Sequence, residues 1–225
     1  MANTTFKGNV RSEDGLTVFN TAADTGTETN KATIDSSGNT SLSGTLAVTG
    51  ATTLSGVTDL AGNAGPTAGT GITTGTGTIY ASSVTHSGGM WHTSILIDLT
   101  GLASSGSGDI IGKAGTASSN IGTTTVALNG TILGGKLTCM ETPAGGDPDI
   151  DLWYADESTG AEDAAITSLT NQTQMLNSGD LAAGSVLGIP VPPAASKFMY
   201  LVTGAATNAD YTAGKILIEF FGYDA

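Results

Sequence analysis

The stretch Trp91–Leu99, WHTSILIDL, alternates in character along its whole length. Trp91, Thr93, Ile95, Ile97 and Leu99 share one face, and His92, Ser94, Leu96 and Asp98 share the other. A period of two puts successive side chains on opposite sides of an extended strand. The pattern recurs downstream. KILIEFFGYD (215–224) sets Ile216, Ile218 and Phe220 against Leu217, Glu219 and Phe221. DIDLWYA (149–155) sets Ile150, Leu152 and Tyr154 against Asp149, Asp151 and Trp153, and KFMYLVT (197–203) groups Phe198, Tyr200 and Val202. Between them lie TTTVALNGTILGGKLTCME and SVLGIPVPPAAS, where Asn129-Gly130 is a two-residue hairpin signal. GAEDAAITSLTNQTQML predicts one short helix around Ala164 to Leu169. The spacing predicts roughly seven or eight strands within residues 89–225 and an all-β knob of β-sandwich, jelly-roll-like type.

Composition agrees with an all-β protein. The 225 residues include 33 Gly and 5% aromatics, and 12% are charged, about half the usual share. Short Val/Ile/Leu/Thr runs lie between Gly, Asn, Asp and Pro, and no long helical periodicity is present. The net charge is −13, and the seven Lys and Arg are scattered singly. A nucleic-acid binder needs clustered basic residues to displace counterions, and an anionic membrane surface would repel this chain. The expected partners therefore include neither nucleic acid nor membrane. Cys139 is the single cysteine, so it forms no intrachain disulfide and reads as a small buried strand residue. Met1–Phe6 lacks the apolar core of a signal peptide, and no apolar run approaches spanning length, so synthesis and assembly in a cytosol are expected.

Four regions differ in composition. Residues 1–33 hold Lys7, Arg11 and Lys31, three of the seven basic residues. Residues 34–62 carry a six-residue repeat, with glycines at 38, 44, 50, 56 and 62. Residues 63–88 are Gly/Thr/Ser-rich without any Asp, Glu, Lys or Arg, and read as a linker. Residues 89–225 contain both tryptophans and 14 of the 20 acids, and form the knob.

Six is a multiple of two, so a strand keeps its register through each repeat. The even positions read Leu42, Gly44, Leu46, Val48, Gly50, Thr52, Leu54, Gly56, Thr58, Leu60 and Gly62, and the odd face is small and mostly polar. The result is one apolar face with a glycine notch at every third side chain, where another backbone can approach closely. A lone strand cannot bury that face and offset its own ordering entropy. Copies wound about a common axis can. The segment therefore reads as a short homotrimeric β stem built on Leu42, Gly44, Leu46, Val48, Gly50, Leu54, Gly56 and Leu60. The period shows repetition and does not count the chains. A Gly/Thr/Ser linker and the edge of a single-chain solenoid are the alternatives, and a plain linker would not hold every Leu at one parity.

Signals for chemistry are sparse. His86 falls in the expected linker and His92 opposite an apolar strand face, and no nucleophile elbow or phosphate-cradling loop is present. The reading is non-enzymatic, with no cofactor. The acidic run DPDIDLWYADESTGAED (147–163) is the one metal signal. Asp147, Asp149 and Asp151 share a strand parity and are the candidate Ca²⁺ ligands. The run departs from an EF-hand loop, with Leu152 in place of the turn glycine and Ser158 in place of the bidentate Glu. No bound metal is expected; a solvated acidic strand face that discourages edge pairing is the expected structure. Trp91 and Trp153 read as core.

SLSGTLAVTGATTLSG resembles the repeats of bacteriophage fibre and head-fibre proteins, and FKGNVRSEDGLTVFN is similar to the leader that precedes such repeats. ILIDLTGLASSGSGDIIG, AGGDPDIDLWYADESTGAEDAAI and YTAGKILIEFFG are similar to small virion structural proteins of phages of aquatic bacteria. The resemblance implies a trimeric appendage on a virion and brings no catalytic motif with it. It implies a capsid decoration (cement) protein on the outer shell, made in the host cytoplasm, with the major capsid protein as partner. Phe6, Lys7, Val10, Arg11, Leu16, Val18 and Phe19 are the candidate attachment residues. The alternative is a tail-fibre or spike component that binds the host surface, with a host-surface glycan as partner. Thirty extended residues reach at most ~100 Å, short for a fibre that searches for hosts, which favours decoration.

Overall fold

The computed structural model describes residues 63–224 together with the backbone of three strands at 16–21, 28–34 and 40–42. The chain divides into two compact units, Met1–Asp59 and Leu60–Ala225. In the first, β1 (Leu16–Thr21), β2 (Glu28–Ile34) and β3 (Thr40–Leu42) form an antiparallel three-stranded meander. Leu16, Val18 and Phe19 lie in β1 and Leu42 closes β3. Phe6, Lys7, Val10, Arg11, Gly44, Leu46, Val48, Gly50, Leu54, Gly56 and Leu60 lie outside the described residues.

The second unit is all-β and antiparallel. Its elements are β4 (Asn63–Ala64), α1 (Thr70–Thr73), β5 (Ile79–Ser87), β6 (Met90–Asp98), β7 (Ala103–Ser104), β8 (Asn120–Thr123), α2 (Val126–Asn129) and β9 (Thr131–Ala144). They continue with β10 (Ile150–Ala155), a 3₁₀ turn (Ile166–Ser168), β11 (Thr173–Leu176), β12 (Val186–Ile189), β13 (Phe198–Thr203), β14 (Ala209–Asp210) and β15 (Ala213–Tyr223). A six-stranded sheet runs β12-β9-β15-β6-β5-β4, a four-stranded sheet runs β11-β10-β13-β8, and β14 pairs with β7. Strand β15 lies between β9 and β6 and joins the two parts of the six-stranded sheet.

The alternation at residues 91–99 and 215–224 settles which side of this sheet is buried. Thr93, Ile95, Ile97, Ile216, Ile218 and Phe220 are at most 1% exposed. The four Ile and Phe220 pack in one cluster with Ile150, Leu152, Met199 and Leu201 of the four-stranded sheet, a sandwich-like core between the two sheets. The four-stranded sheet is covered on its other side as well. There Tyr200, Val202 and Ala155 pack with Ile110 and Ile166, with Trp153, Leu169 and Phe198 against them. Cys139 is buried in β9, as its reading required.

Two local expectations are corrected. The Gly/Thr/Ser-rich stretch 63–88 is no linker: β5 pairs with β6 from Ile79–Asp98 to Ser87–Met90. Its inner face is anchored by buried Val84 and by Tyr80, whose hydroxyl lies 2.6 Å from the Pro66 carbonyl and 2.9 Å from that of Ile121. Beyond Ile79 its outer positions, Ala81, Ser83, Thr85 and Ser87, are small, which hid the strand. Asn129-Gly130 ends the short helix α2 in place of turning a hairpin. The Thr125 hydroxyl caps α2 by accepting from Leu128 N–H at 3.2 Å. The buried Asn129 side chain accepts from Thr125 N–H at 2.9 Å and donates to Thr93 Oγ1 at 2.7 Å. Those two bonds satisfy a buried amide that a hairpin turn would have left exposed. The helix expected around 164–169 is the 3₁₀ turn.

Candidate functional site

The acidic strand carries the one metal signal of the sequence, and two of its three candidate carboxylates are occupied by the protein. Asp147 and Asp151 are 1% and 5% exposed. This overturns the solvated acidic face, because the four-stranded sheet carrying Asp151 is covered on both sides. Asp147 Oδ1 accepts from Asp149 N–H at 3.0 Å and Oδ2 accepts from Thr207 N–H at 2.9 Å. Its own N–H donates to Ser104 Oγ at 3.0 Å. Asp151 accepts from Gln174 Nε2 at 2.7 Å and from Ser178 N–H at 2.9 Å. Burial raises the Asp151 carboxyl above the usual carboxylate range, against the pull of those hydrogen bonds.

Asp149 is the exception. Its Oδ1 is buried and has no hydrogen-bond partner. The carboxyl packs against Gly204, where an added Cβ would fall 2.3 Å from Cγ. Burial raises its pKa first, and the neighbouring Asp151, Asp147 and Asp180 charges raise it further. Among the described residues no group of three or more His, Cys, Asp or Glu side chains is placed to hold a metal ion. The three candidates share a parity, but they serve different partners.

The histidines occupy the sheet itself. His86, on β5, stacks on Trp91 with ring centroids 4.1 Å apart, and its Nε2 lies 2.9 Å from Asp224 Oδ1. Trp91 Nε1 donates to the same carboxylate at 2.6 Å. His92 stacks on Phe221 at 5.1 Å, and its Nε2 lies 3.0 Å from Glu219 Oε1. Lys136 Nζ pairs with Glu219 Oε2 at 2.8 Å. Lys215 Nζ lies between Glu141 and Asp98, at 2.7 and 3.0 Å. Burial works against ionisation of Glu219, but Lys136 and His92 outweigh it and its pKa falls.

The surface of the second unit is concave in places. One concavity of about 330 Å³ includes Thr67, Thr70, Ser118, Asn120, Ser158 and Phe198. Another of about 140 Å³ includes Thr124, Val126, Ile132 and Pro193. Neither is lined by a carboxylate, an imidazole or an amine. The partners Ser104, Gln174, Ser178, Thr207 and Tyr211 escaped the sequence reading, because they lie 23 to 64 residues from the acids they satisfy. Among the described residues no helix is long and apolar enough to cross a membrane. No family model, no curated protein and no solved structure matches the chain.

Proposed function

We propose that this chain is a non-enzymatic virion structural protein, a homotrimeric decoration (cement) protein on the outer surface of a bacteriophage capsid. In this reading residues 34–62 form a trimeric β stem, the second unit is a jelly-roll-like knob, and the N-terminal segment binds the major capsid protein. The observation that carries it is the hexad in which every Leu and every Gly of residues 42–62 falls at one parity. Such a face has to be buried, and identical strands about an axis bury it while keeping register. An all-β, antiparallel second unit with a two-sided apolar core is the kind of body such a stem would carry. Phe6 and Val10 supply apolar area for the capsid, and Lys7 and Arg11 supply charge for its carboxylates. Strand addition to an exposed sheet edge would add main-chain hydrogen bonds.

The test is deletion of residues 2–15 from the full chain, which leaves β1 whole, followed by binding to purified capsids. The truncated protein is expected to remain a folded trimer and to lose capsid binding. Full occupancy by the truncated protein would move attachment elsewhere. Virion images with copies only at the tail would replace decoration by the tail-fibre alternative.

A further inference from the structure

The outer face of the six-stranded sheet is ordered in rows that cross its strands. One row runs Val186, Thr138, Leu217, Leu96 and Ala81, each directly opposite the next across β12, β9, β15, β6 and β5. The row on one side of it runs Lys136, Glu219, Ser94 and Ser83, and the row on the other runs Glu141, Lys215, Asp98 and Ile79. Beyond the first of these lie Phe221 and His92, stacked on each other. A row that is apolar but for Thr138 is thus flanked on both sides by rows that carry charged pairs. Val186 is 60% exposed, Phe221 38% and Ile79 54%. Leu96, Leu217 and Thr138 are half-buried, and Ala81 is exposed.

Charge indicates what can cover this face. The unit Leu60–Ala225 holds 14 acids and four lysines. Two of those lysines, Lys136 and Lys215, lie on this face, each paired to acids of the same face, namely Glu219 for one and Glu141 and Asp98 for the other. The remaining eleven acids of the unit are set against only Lys113 and Lys197. A second copy of so acidic a chain is repelled by most of the surface and least by this face, where three acids are met by two lysines. Size agrees. Five strands ~4.8 Å apart and about eight residues long present roughly 600–700 Å², close to the ~800 Å² per partner of a standard interface.

We propose that this face is a self-association surface taken by a second copy of the chain, with Leu217 and Leu96 at its centre. The inference deepens the homotrimer of the proposed function and rests on it for the number of copies. The contact is dry along the apolar row and closed by paired charges at its borders, as interface cores and rims are.

Sedimentation of the full chain up to ~100 μM tests it, with dissociation midpoints compared among variants. Leu217→Asp is the central variant, and Val186→Asp, at a far more exposed position, guards against misfolding of the first. Val191→Asp is the control, exposed beyond the end of β12, where its N–H donates to the Met175 carbonyl of the four-stranded sheet. The wild type and the control are expected to associate alike, with Leu217→Asp and Val186→Asp dissociating at concentrations about tenfold higher or more. A wild-type trimer whose midpoint neither variant moves overturns the inference and leaves the trimer standing. So does loss of capsid binding with self-association unchanged, which would assign the face to the capsid protein. A wild-type dimer abolished by Leu217→Asp supports the face and overturns the trimer. A wild type that stays monomeric throughout overturns both.

Discussion

The phenolic hydroxyl of Tyr211 donates to the main-chain carbonyl of Asp147 across 2.7 Å, and both residues are 1% exposed. The bond ties the entry to β10 to the segment before β15. The Asp147 carboxylate completes the latch by accepting from Asp149 and Thr207 N–H groups. Asp147→Ala would leave two main-chain donors without acceptors. A loss of about 2–4 kcal/mol is expected, read as a lower urea midpoint with an unchanged slope. Asp147→Asn keeps one acceptor and is expected to cost about half as much.

Asp149 has the opposite sign. Its pKa is raised in the folded state, by burial first and by Asp151, Asp147 and Asp180 next. The native state therefore holds a proton that the unfolded chain has released, and stability is gained as pH falls through the raised value. At pH 7 the ionised group is a burden. Asp149→Asn is expected to raise Tm at pH 7 by about 1–3 °C, with the gain vanishing below the unfolded value near ~4. Thermal melts from pH 3 to 8 read this directly, and a lower Tm at pH 7 would contradict it.

Asp98 behaves in the ordinary carboxylate direction. Burial opposes ionisation, but Thr100 N–H and Oγ1, at 3.1 and 2.7 Å, together with Lys215 Nζ hold its pKa down. Its contribution is present above the unfolded value and is lost as pH falls through the depressed folded value. Asp98→Asn is expected to cost about 1–2 kcal/mol at pH 7. The gap to the wild type should close in acid, where both carry a neutral group.

Gly130 sits at φ +65° just after α2. A Cβ there would meet Trp91 Cδ1 at 2.4 Å and the Tyr223 carbonyl oxygen at 2.5 Å. Gly130→Ala combines a disfavoured backbone region with a clash against main chain, and a loss of about 2–4 kcal/mol is expected. Trp91 fluorescence should change with it, since the indole must move off its bond to Asp224.

The hexad gives the prediction that bears on the stem. Gly50→Val or Gly56→Val fills a notch with a β-branched side chain where backbones are proposed to approach. The oligomer should weaken while residues 63–224 keep their own unfolding transition. Two variants with unchanged assembly would reduce the hexad to a linker.

The sequence by itself determined the alternating strands at 91–98 and 215–223 and their buried sides. Alternation is a local property, and Ile95, Ile97, Ile216 and Ile218 face the core because neighbouring residues on one strand point to opposite sides. Cys139 is buried, as its residue type led one to expect, and the short helix expected around 164–169 is a single 3₁₀ turn. Only the tertiary structure decided which polar residues are internal. Asp151 looked solvated because alternation shows that a strand has two faces and does not show that a second layer covers the polar one. Residues 79–87 looked like linker because the strand's stability comes from pairing with β6 and from Tyr80 reaching Pro66 and Ile121, not from its own composition. Asn129-Gly130 looked like a hairpin because the competing partner of Asn129, Thr93, lies 36 residues away. The apolar row from Val186 to Ala81 is invisible in one dimension, since each member comes from a different strand and register alone aligns them.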